Sequence, residues 1–323
     1  MNNFRRKVWL YIVSVFIVGS FLVYQINAFL KDGSEPGAAL REVVSSESLE
    51  FLWSSNLKID GPHSGGCDDK RYSFYAQLNS EHKQMVVPVW NGKIPIFTRV
   101  YLTGFDLDTG QTNWRTQLNK INYSIGGNSS NVFVVERGPE PPLNSCSSDL
   151  HYCEAAKILA YDTQTGEEVW STLQSNMYSA DTLCVNDEIV SIVGIATRSD
   201  YQEKVSLDAN TGAKIPYQSL PLTTAISNYE TNRLTFEKLG IDELDIRSQY
   251  IVESKNLYFL TNHDRALWII DKDTAEVVGK AEFSGEPFQG DRFSREYMIM
   301  TDDEYVTVYL ADSQQLFLFK LHE

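Results

Sequence analysis

The sequence is poor in basic residues: 28 Lys and Arg stand against 43 Asp and Glu, a formal net charge of -15. Nucleic acid is excluded as a partner, because phosphate binding needs a clustered positive surface. Cysteine is scarce, with four at positions 67, 146, 153 and 184; no CxxC pair occurs and the only histidine nearby is His151. A zinc centre needs four well-placed ligands, so that chemistry is excluded too. The five histidines (63, 82, 151, 263 and 322) fall in no catalytic frame with Ser or Cys, and G-x-S-x-G is missing.

What is present points to a large β-rich core. The chain has 323 residues, 42% hydrophobic and 12% aromatic; this composition rules out wholesale disorder and favours strands. The acidic surface serves solubility first, and it favours a basic or cationic partner over an acidic one.

The N-terminus sets the compartment. Arg5, Arg6 and Lys7 precede an uncharged stretch of 23 residues, 8–30. As a helix this stretch spans roughly 34 Å, enough for a hydrocarbon core. The leading positive cluster places residues 1–7 in the cytoplasm and the remainder outside. A cleaved signal peptide is the rival reading, with Ile26-Asn27-Ala28 as its cleavage candidate. No cysteine lies near the end of the stretch, which excludes a lipid anchor there. The expectation is an uncleaved, single-pass anchor at 8–30, a linker at 31–49 and an extracytoplasmic domain at 50–323. In an oxidising compartment Cys146 and Cys153, which bracket a polar loop, are the candidates for a local disulfide. Cys67 and Cys184 then remain, either as a second bridge or as free buried thiols.

The domain is repetitive. GFDLDTGQTNW (104–114) and AYDTQTGEEVW (160–170) share Asp, then Gly four residues on, then Trp eight residues on: Asp106, Gly110, Trp114 and Asp162, Gly166, Trp170. The frame continues at Asp208 and Gly212, at Asp271 with Ala275 in the Gly place, and at Lys320 in the Asp place. The anchor intervals are 56, 46, 63 and 49 residues. In each copy the apolar run is a strand, the Asp caps the turn, the Gly adopts a left-handed conformation, and the Trp of the next strand packs between sheets. Two further strands precede each anchor, and four strands in about 45 residues make a propeller blade. An orphan Trp strand, FLWSSNL (51–57), opens the domain, and the chain ends on LFLFKLHE. Ring closure follows: Trp53 belongs beside Leu316–Phe319, completing the blade begun by the last three strands. Five blades are counted, with room for a degenerate sixth in the irregular stretches 137–155 and 223–246, the latter helical around 231–244.

This pattern of Asp-x-x-Thr-Gly, three residues and Trp resembles the PQQ-like propeller repeat over residues 50–323. Two copies match closely, at 104–114 and 160–170. The others have lost Trp, with Pro216 and Gly279 in its place, or Gly. The family includes quinone-dependent dehydrogenases and non-enzymatic propellers such as the lipoprotein scaffold of outer-membrane protein assembly. The resemblance therefore implies a fold and leaves function open. A quinoprotein would be expected to carry an adjacent Cys-Cys pair and a calcium site, and this chain has no such pair.

The alternating carboxylates Asp106, Asp108 and Asp271, Asp273 lack the further oxygens of a calcium loop and read as turn caps, as do Asp68-Asp69 and Asp302-Asp303. DGPHSGGCDDKRY (60–72), Gly-rich and polar, is a candidate binding stretch at one mouth of the ring, but the preferred reading is a loop linking the closing strand to the first full blade. The sequons at Asn122 and Asn128 matter only in a glycosylating host. The expectation is an all-β propeller behind one transmembrane helix, with no cofactor, acting as a scaffold for a protein or ligand. A propeller hydrolase, lyase or quinone-dependent dehydrogenase with its site in the central funnel is the alternative.

Overall fold

Apolar runs broken by Asn, Asp and Gly form 24 strands among the described residues of a computed structural model. It describes residues 42–59, 63–67, 70–74, 77–91, 99–118, 123–136, 156–174, 177–196, 202–220, 225–227, 229–243, 246, 251–262, 264–285, 297–310 and 313–322. All belong to one unit of the chain, Arg41–Asn91 with Arg99–Glu323. The segment 8–30 and the Cys146–Cys153 loop lie outside the described residues. Among those that are described, no helix is long and apolar enough to cross a membrane.

In chain order the strands are β1 (Val43–Ser45), β2 (Leu49–Asn56), and the hairpin β3 (His63–Cys67) and β4 (Lys70–Phe74). The first blade is β5 (Gln77–Asn79), β6 (Gln84–Asn91), β7 (Arg99–Asp106) and β8 (Thr112–Gln117). The second is β9 (Tyr123–Gly127), β10 (Asn131–Glu136), β11 (Ala156–Asp162) and β12 (Glu168–Gln174). The third is β13 (Met177–Val185), β14 (Ile189–Ala196), β15 (Gln202–Asp208) and β16 (Lys214–Ile215). The fourth holds β17 (Ala225–Ser227), β18 (Ile251–Glu253), β19 (Asn256–Thr261), β20 (Ala266–Asp271) and β21 (Val277–Phe283). Between β17 and β18 lies the helix α1 (Arg233–Leu239), within the stretch expected to be helical. The fifth blade is β22 (Tyr297–Thr301), β23 (Tyr305–Leu310) and β24 (Gln315–Leu321).

Pairing within each blade is antiparallel and sequential, and the N-terminal strands complete the last two. β2 lies along β24, with Trp53 opposite Leu318 and Ser54 opposite Phe317. This is the closure expected from the orphan Trp strand. β1 adds to the outer edge of β21, pairing Val43 with Phe283 and Ser45 with Ala281. With β1 added to the five strands β17–β21, the fourth sheet has six strands rather than four. β1 falls inside the stretch expected as a linker, 31–49; at three residues it is too short to show alternation in the sequence.

Burial follows position in the blade. The middle strands β10, β19 and β23 are buried at every residue, because neighbouring blades cover both faces. The outer strands β8 and β12 alternate, as expected for strands with one covered face. The cores lie in the seams. Met85, Phe105, Leu316 and Leu318 fill the fifth–first seam, Leu102, Val134 and Leu159 the first–second, and Phe133, Ile158 and Ile192 the second–third. Tyr258, Leu267, Val308, Phe317 and Phe319 fill the fourth–fifth. The remaining face of the fourth blade packs instead on α1 through Phe236, Phe259 and Ile270.

Candidate functional site

Each Asp of the repeat organises its own turn. Asp106 Oδ1 accepts from the backbone N–H and the hydroxyl of Thr109, both at 2.7 Å, and the Gly110 N–H donates to the Asp106 carbonyl at 2.9 Å. Asp162 with Thr165, Asp208 with Thr211 and Asp271 with Thr274 repeat this geometry. The threonine is as much a part of the turn as the Asp, a role the sequence analysis left unassigned. Gly110, Gly166 and Gly212 stand at φ 68°, 69° and 69°, and Ala275 takes the same region at φ 59°. The Asp208 and Asp271 carboxyls are held below the usual range by these bonds, from the Thr211 hydroxyl foremost and from the Thr274 N–H foremost.

Each Trp reaches into the next blade. Trp53 Nε1 donates to the Leu107 carbonyl at 2.7 Å, Trp114 to Thr163 at 2.9 Å and Trp170 to Ala209 at 3.0 Å. The three rings crowd Gly110, Gly166 and Gly212, where a Cβ would overlap the indole. Knob and socket thus sit on consecutive blades, so the two key residues of one seam come from neighbouring copies of the repeat.

A second relay was not read from the sequence. Asn128 Oδ1 caps Ser130 and Asn131, Asn186 Oδ1 caps Glu188 and Ile189, and Asp302 Oδ1 caps Glu304 and Tyr305. Asn79 Nδ2 also donates to the Ser129 carbonyl, and Asn128 Nδ2 donates to the Asn186 carbonyl at 3.1 Å, bonding each blade to the next. The signal was an Asn or Asp just ahead of the second strand in every blade but the fourth, where Ser254 and Lys255 stand. Asn128 is buried at 7% exposure, so this sequon is not open to a glycan. Of the carboxylate pair at 302–303, only Asp302 caps its own turn. Asp303 accepts from Ser254 at 2.6 Å and Tyr258 at 2.9 Å, across the fourth–fifth seam.

The fourth–fifth seam has lost both knob and socket. Gly279 pairs with Ile269, the register at which Trp114 pairs with Gly104. The outer strand of the fifth blade is β2, from earlier in the chain, so no repeat turn joins it to β24, and the His322 N–H donates to the Ser48 carbonyl at 2.9 Å. Leu49 fills part of the vacated room, its Cβ 3.3 Å from where a Gly279 Cβ would stand.

A cleft of about 810 Å³ opens at this seam. Its acidic lining is Asp271, Asp302, Asp303 and Glu304, its basic lining Lys255 and Lys320, and Val278 and Leu321 add apolar surface. Lys320 sits 3.4 Å from Glu304, and His322, also in the lining, lies 2.9 Å from Glu50. Asp302 Oδ2 is buried without a hydrogen-bond partner. Burial raises the Asp302 carboxyl above its ordinary range, against the backbone N–H groups of Tyr305 and Glu304 that favour the charged form.

The ring axis is the other place a ligand would be sought. There the stretch 60–72, expected as a loop, contributes the hairpin β3–β4. β3 packs on β13 and β9, and β4 on β17 and β22. These are the inner-edge strands of four different sheets, so a hairpin that touches all four lies on the axis. The glycines 65 and 66 hid this strand, because glycine is depleted in strands generally. Cys184, on β13, is buried and disulfide-bonded.

No family model matches the chain, and no curated protein does. Its neighbours among solved structures include β-propeller domains and quinohemoprotein alcohol dehydrogenases. BamB from Moraxella catarrhalis is 12% identical with a TM-score of 0.26, over 84% of this chain and all of that one. The quinohemoprotein alcohol dehydrogenase ADHIIG from Pseudomonas putida HK5 is 13% identical with a TM-score of 0.29, over 74% of this chain and 44% of that one. The β-propeller domain of the trilobed protease from Pyrococcus furiosus is 7% identical with a TM-score of 0.28, over 77% of this chain and 64% of that one. At these scores the likenesses carry no argument, and the ring stands on its own strand pairing.

Proposed function

We propose that this protein is a membrane-anchored, extracytoplasmic propeller that serves as a scaffold for a protein partner. The observation that carries this reading is the hairpin β3–β4 packed against the inner strands of four sheets. A propeller enzyme needs its funnel for substrate or quinone, and here the chain itself takes up that space. What remains for recognition is the loop-bearing faces, held by a rigid core.

The cysteines support the compartment. Cys184 is disulfide-bonded and its strand packs on β3, which ends in Cys67. We assign Cys67 as its partner, leaving Cys146 with Cys153 in their loop. Such bridges persist outside the reducing cytosol. Residues 8–30 supply the anchor in this reading, with 1–7 in the cytoplasm.

The test is purification of the full chain from membranes of its own host in mild detergent, with chemical cross-linking. A partner protein retained in fixed proportion is the expected result. A chain that comes away alone, and that reduces a dye with an alcohol or sugar once quinone and Ca²⁺ are added, overturns the reading in favour of an enzyme.

A further inference from the structure

The charge of the ring is divided between its two ends. In the first four blades the repeat Asp pairs with the residue that opens the blade's second strand: Asp106 with Gln84, Asp162 with Asn131, Asp208 with Ile189 and Asp271 with Asn256. Both sets of turns therefore share one end, where Asp108, Asp187, Glu188, Asp273 and Glu304 are also exposed. At the other end, where Asn91 pairs with Arg99, cations stand over aromatic rings. Lys58 Nζ lies 5.9 Å from the centre of the Trp90 ring, Arg115 Cζ 4.9 Å from that of Tyr101, and Lys204 Nζ 5.5 Å from that of Tyr217. Arg99 donates to Gln117 Oε1 at 3.3 Å. These four cations are exposed, and none ion-pairs with a carboxylate among the described residues. Lys280, over Trp268 in the fourth blade, differs in having Asp264 and Glu282 as partners.

We infer that this second end of the ring rests on an anionic phospholipid surface, with the Asp-rich end turned away from it. The inference rests on the anchored reading above and gives the ring its orientation. The chain enters the ring at the same end: Val43 pairs with Phe283, and the Ser284 N–H donates to the Glu42 carbonyl at 2.8 Å. Only residues 31–41 separate the segment 8–30 from Glu42, a reach of about 36 Å when fully extended. Each Lys or Arg at an anionic surface strengthens attachment about fivefold. Trp and Tyr rings favour the interface between headgroups and water. A protein of net charge -15 is repelled by such a surface as a whole, so attraction selects the one end where cations lack carboxylate partners.

The test reconstitutes the full chain in nanodiscs of phosphatidylcholine alone and of phosphatidylcholine and phosphatidylglycerol in equal parts. Phenylglyoxal labels arginines and acetic anhydride lysines, and mass spectrometry reads each site. Arg99, Arg115, Lys58 and Lys204 should react more slowly in the mixed discs, by about threefold or more. Lys83 and Lys272, at the opposite end, should react alike in both, and raised salt should restore the slowed rates. A chain carrying Arg99→Gln and Arg115→Gln should lose the protection of Lys58 while melting like the parent. Equal rates at the four cations in the two compositions, slowing shared by Lys83 and Lys272, or a double variant in which Lys58 stays protected would each overturn the orientation and leave the anchor standing. A chain that does not enter the discs removes the anchored reading and this orientation with it.

Discussion

Trp53 and Gly110 meet across the closure of the ring: the indole donates to the carbonyl of Leu107 at 2.7 Å, and a Cβ on Gly110 would come within 2.7 Å of Trp53 Cδ2. Trp53 is 9% exposed, whereas Trp114 and Trp170 are half-buried on outer strands. Trp53→Ala should therefore cost most, about 3–5 kcal/mol, with Trp114→Ala and Trp170→Ala below it. Gly110→Ala should cost about 2–3 kcal/mol from the left-handed backbone and the overlap together. Chemical denaturation of the four variants ranks them, and a Trp53→Ala chain as stable as the parent would remove the knob-and-socket account of closure.

Ala275 offers the converse experiment. It holds φ 59° at the Gly position of the fourth blade, and the preceding blade has Pro216 where the Trp would be. Without an indole to crowd it, a Cβ fits there, and only the backbone is strained. Ala275→Gly relieves that strain, about 1 kcal/mol, and gives back a little through greater freedom of the unfolded chain. A small rise in melting temperature is expected. A fall of several degrees would show that the Ala275 methyl contributes packing that outweighs the strain.

The repeat was legible because its information is local. Asp106, Thr109 and Gly110 determine one turn among themselves, and the eight-residue step to Trp114 puts the ring on the next strand whatever the rest of the chain does. Trp53 beside Leu318 was legible for a related reason: counting copies leaves one strand over at each end. The relay through Asn128 and Asn186 was not legible, because its bond joins turns of different blades and Asn is common in any turn. Cleft formation at Gly279 was hidden more deeply still, since what makes it is a missing side chain and a missing turn. The hairpin β3–β4 was misread as a loop on the strength of its glycines; its partners are strands more than 50 residues further on, which no local pattern reports.

Two carboxylates should give opposite dependences on pH. Burial raises the Asp302 carboxyl, so its contribution to stability is fully present below the unfolded value, near 4, and is lost as pH rises through the higher folded value. Asp302→Asn should thus stabilise at pH 7, by about 1–2 kcal/mol, and change little in acid. For Asp264 burial also pushes upward, but hydrogen bonds from Lys280, Thr261 and Trp268 outweigh it and hold the carboxyl below its ordinary range. Its contribution is present above the unfolded value and lost as pH falls through the folded one, so Asp264→Asn should destabilise at neutral pH and converge with the parent in acid. Urea denaturation at several pH values between 3 and 8 checks both signs, and parallel curves for the two variants would refute the pair.

The axial hairpin makes a covalent prediction. β3 packs on the strand that carries Cys184, and that residue is disulfide-bonded. The partner proposed for it is Cys67, at the end of β3. Proteolysis under non-reducing conditions should release a linked pair of peptides containing residues 67 and 184, and a separate species with 146 and 153 bridged. Because the Cys67–Cys184 bridge closes a long loop of the unfolded chain, Cys184→Ser should lower stability by about 2–4 kcal/mol. It should also open the axis to protease cleavage within 60–76 while leaving the blades intact. Peptides joining Cys184 to Cys146 or Cys153 would displace the hairpin from the axis, and with it the argument that the funnel is closed to a substrate.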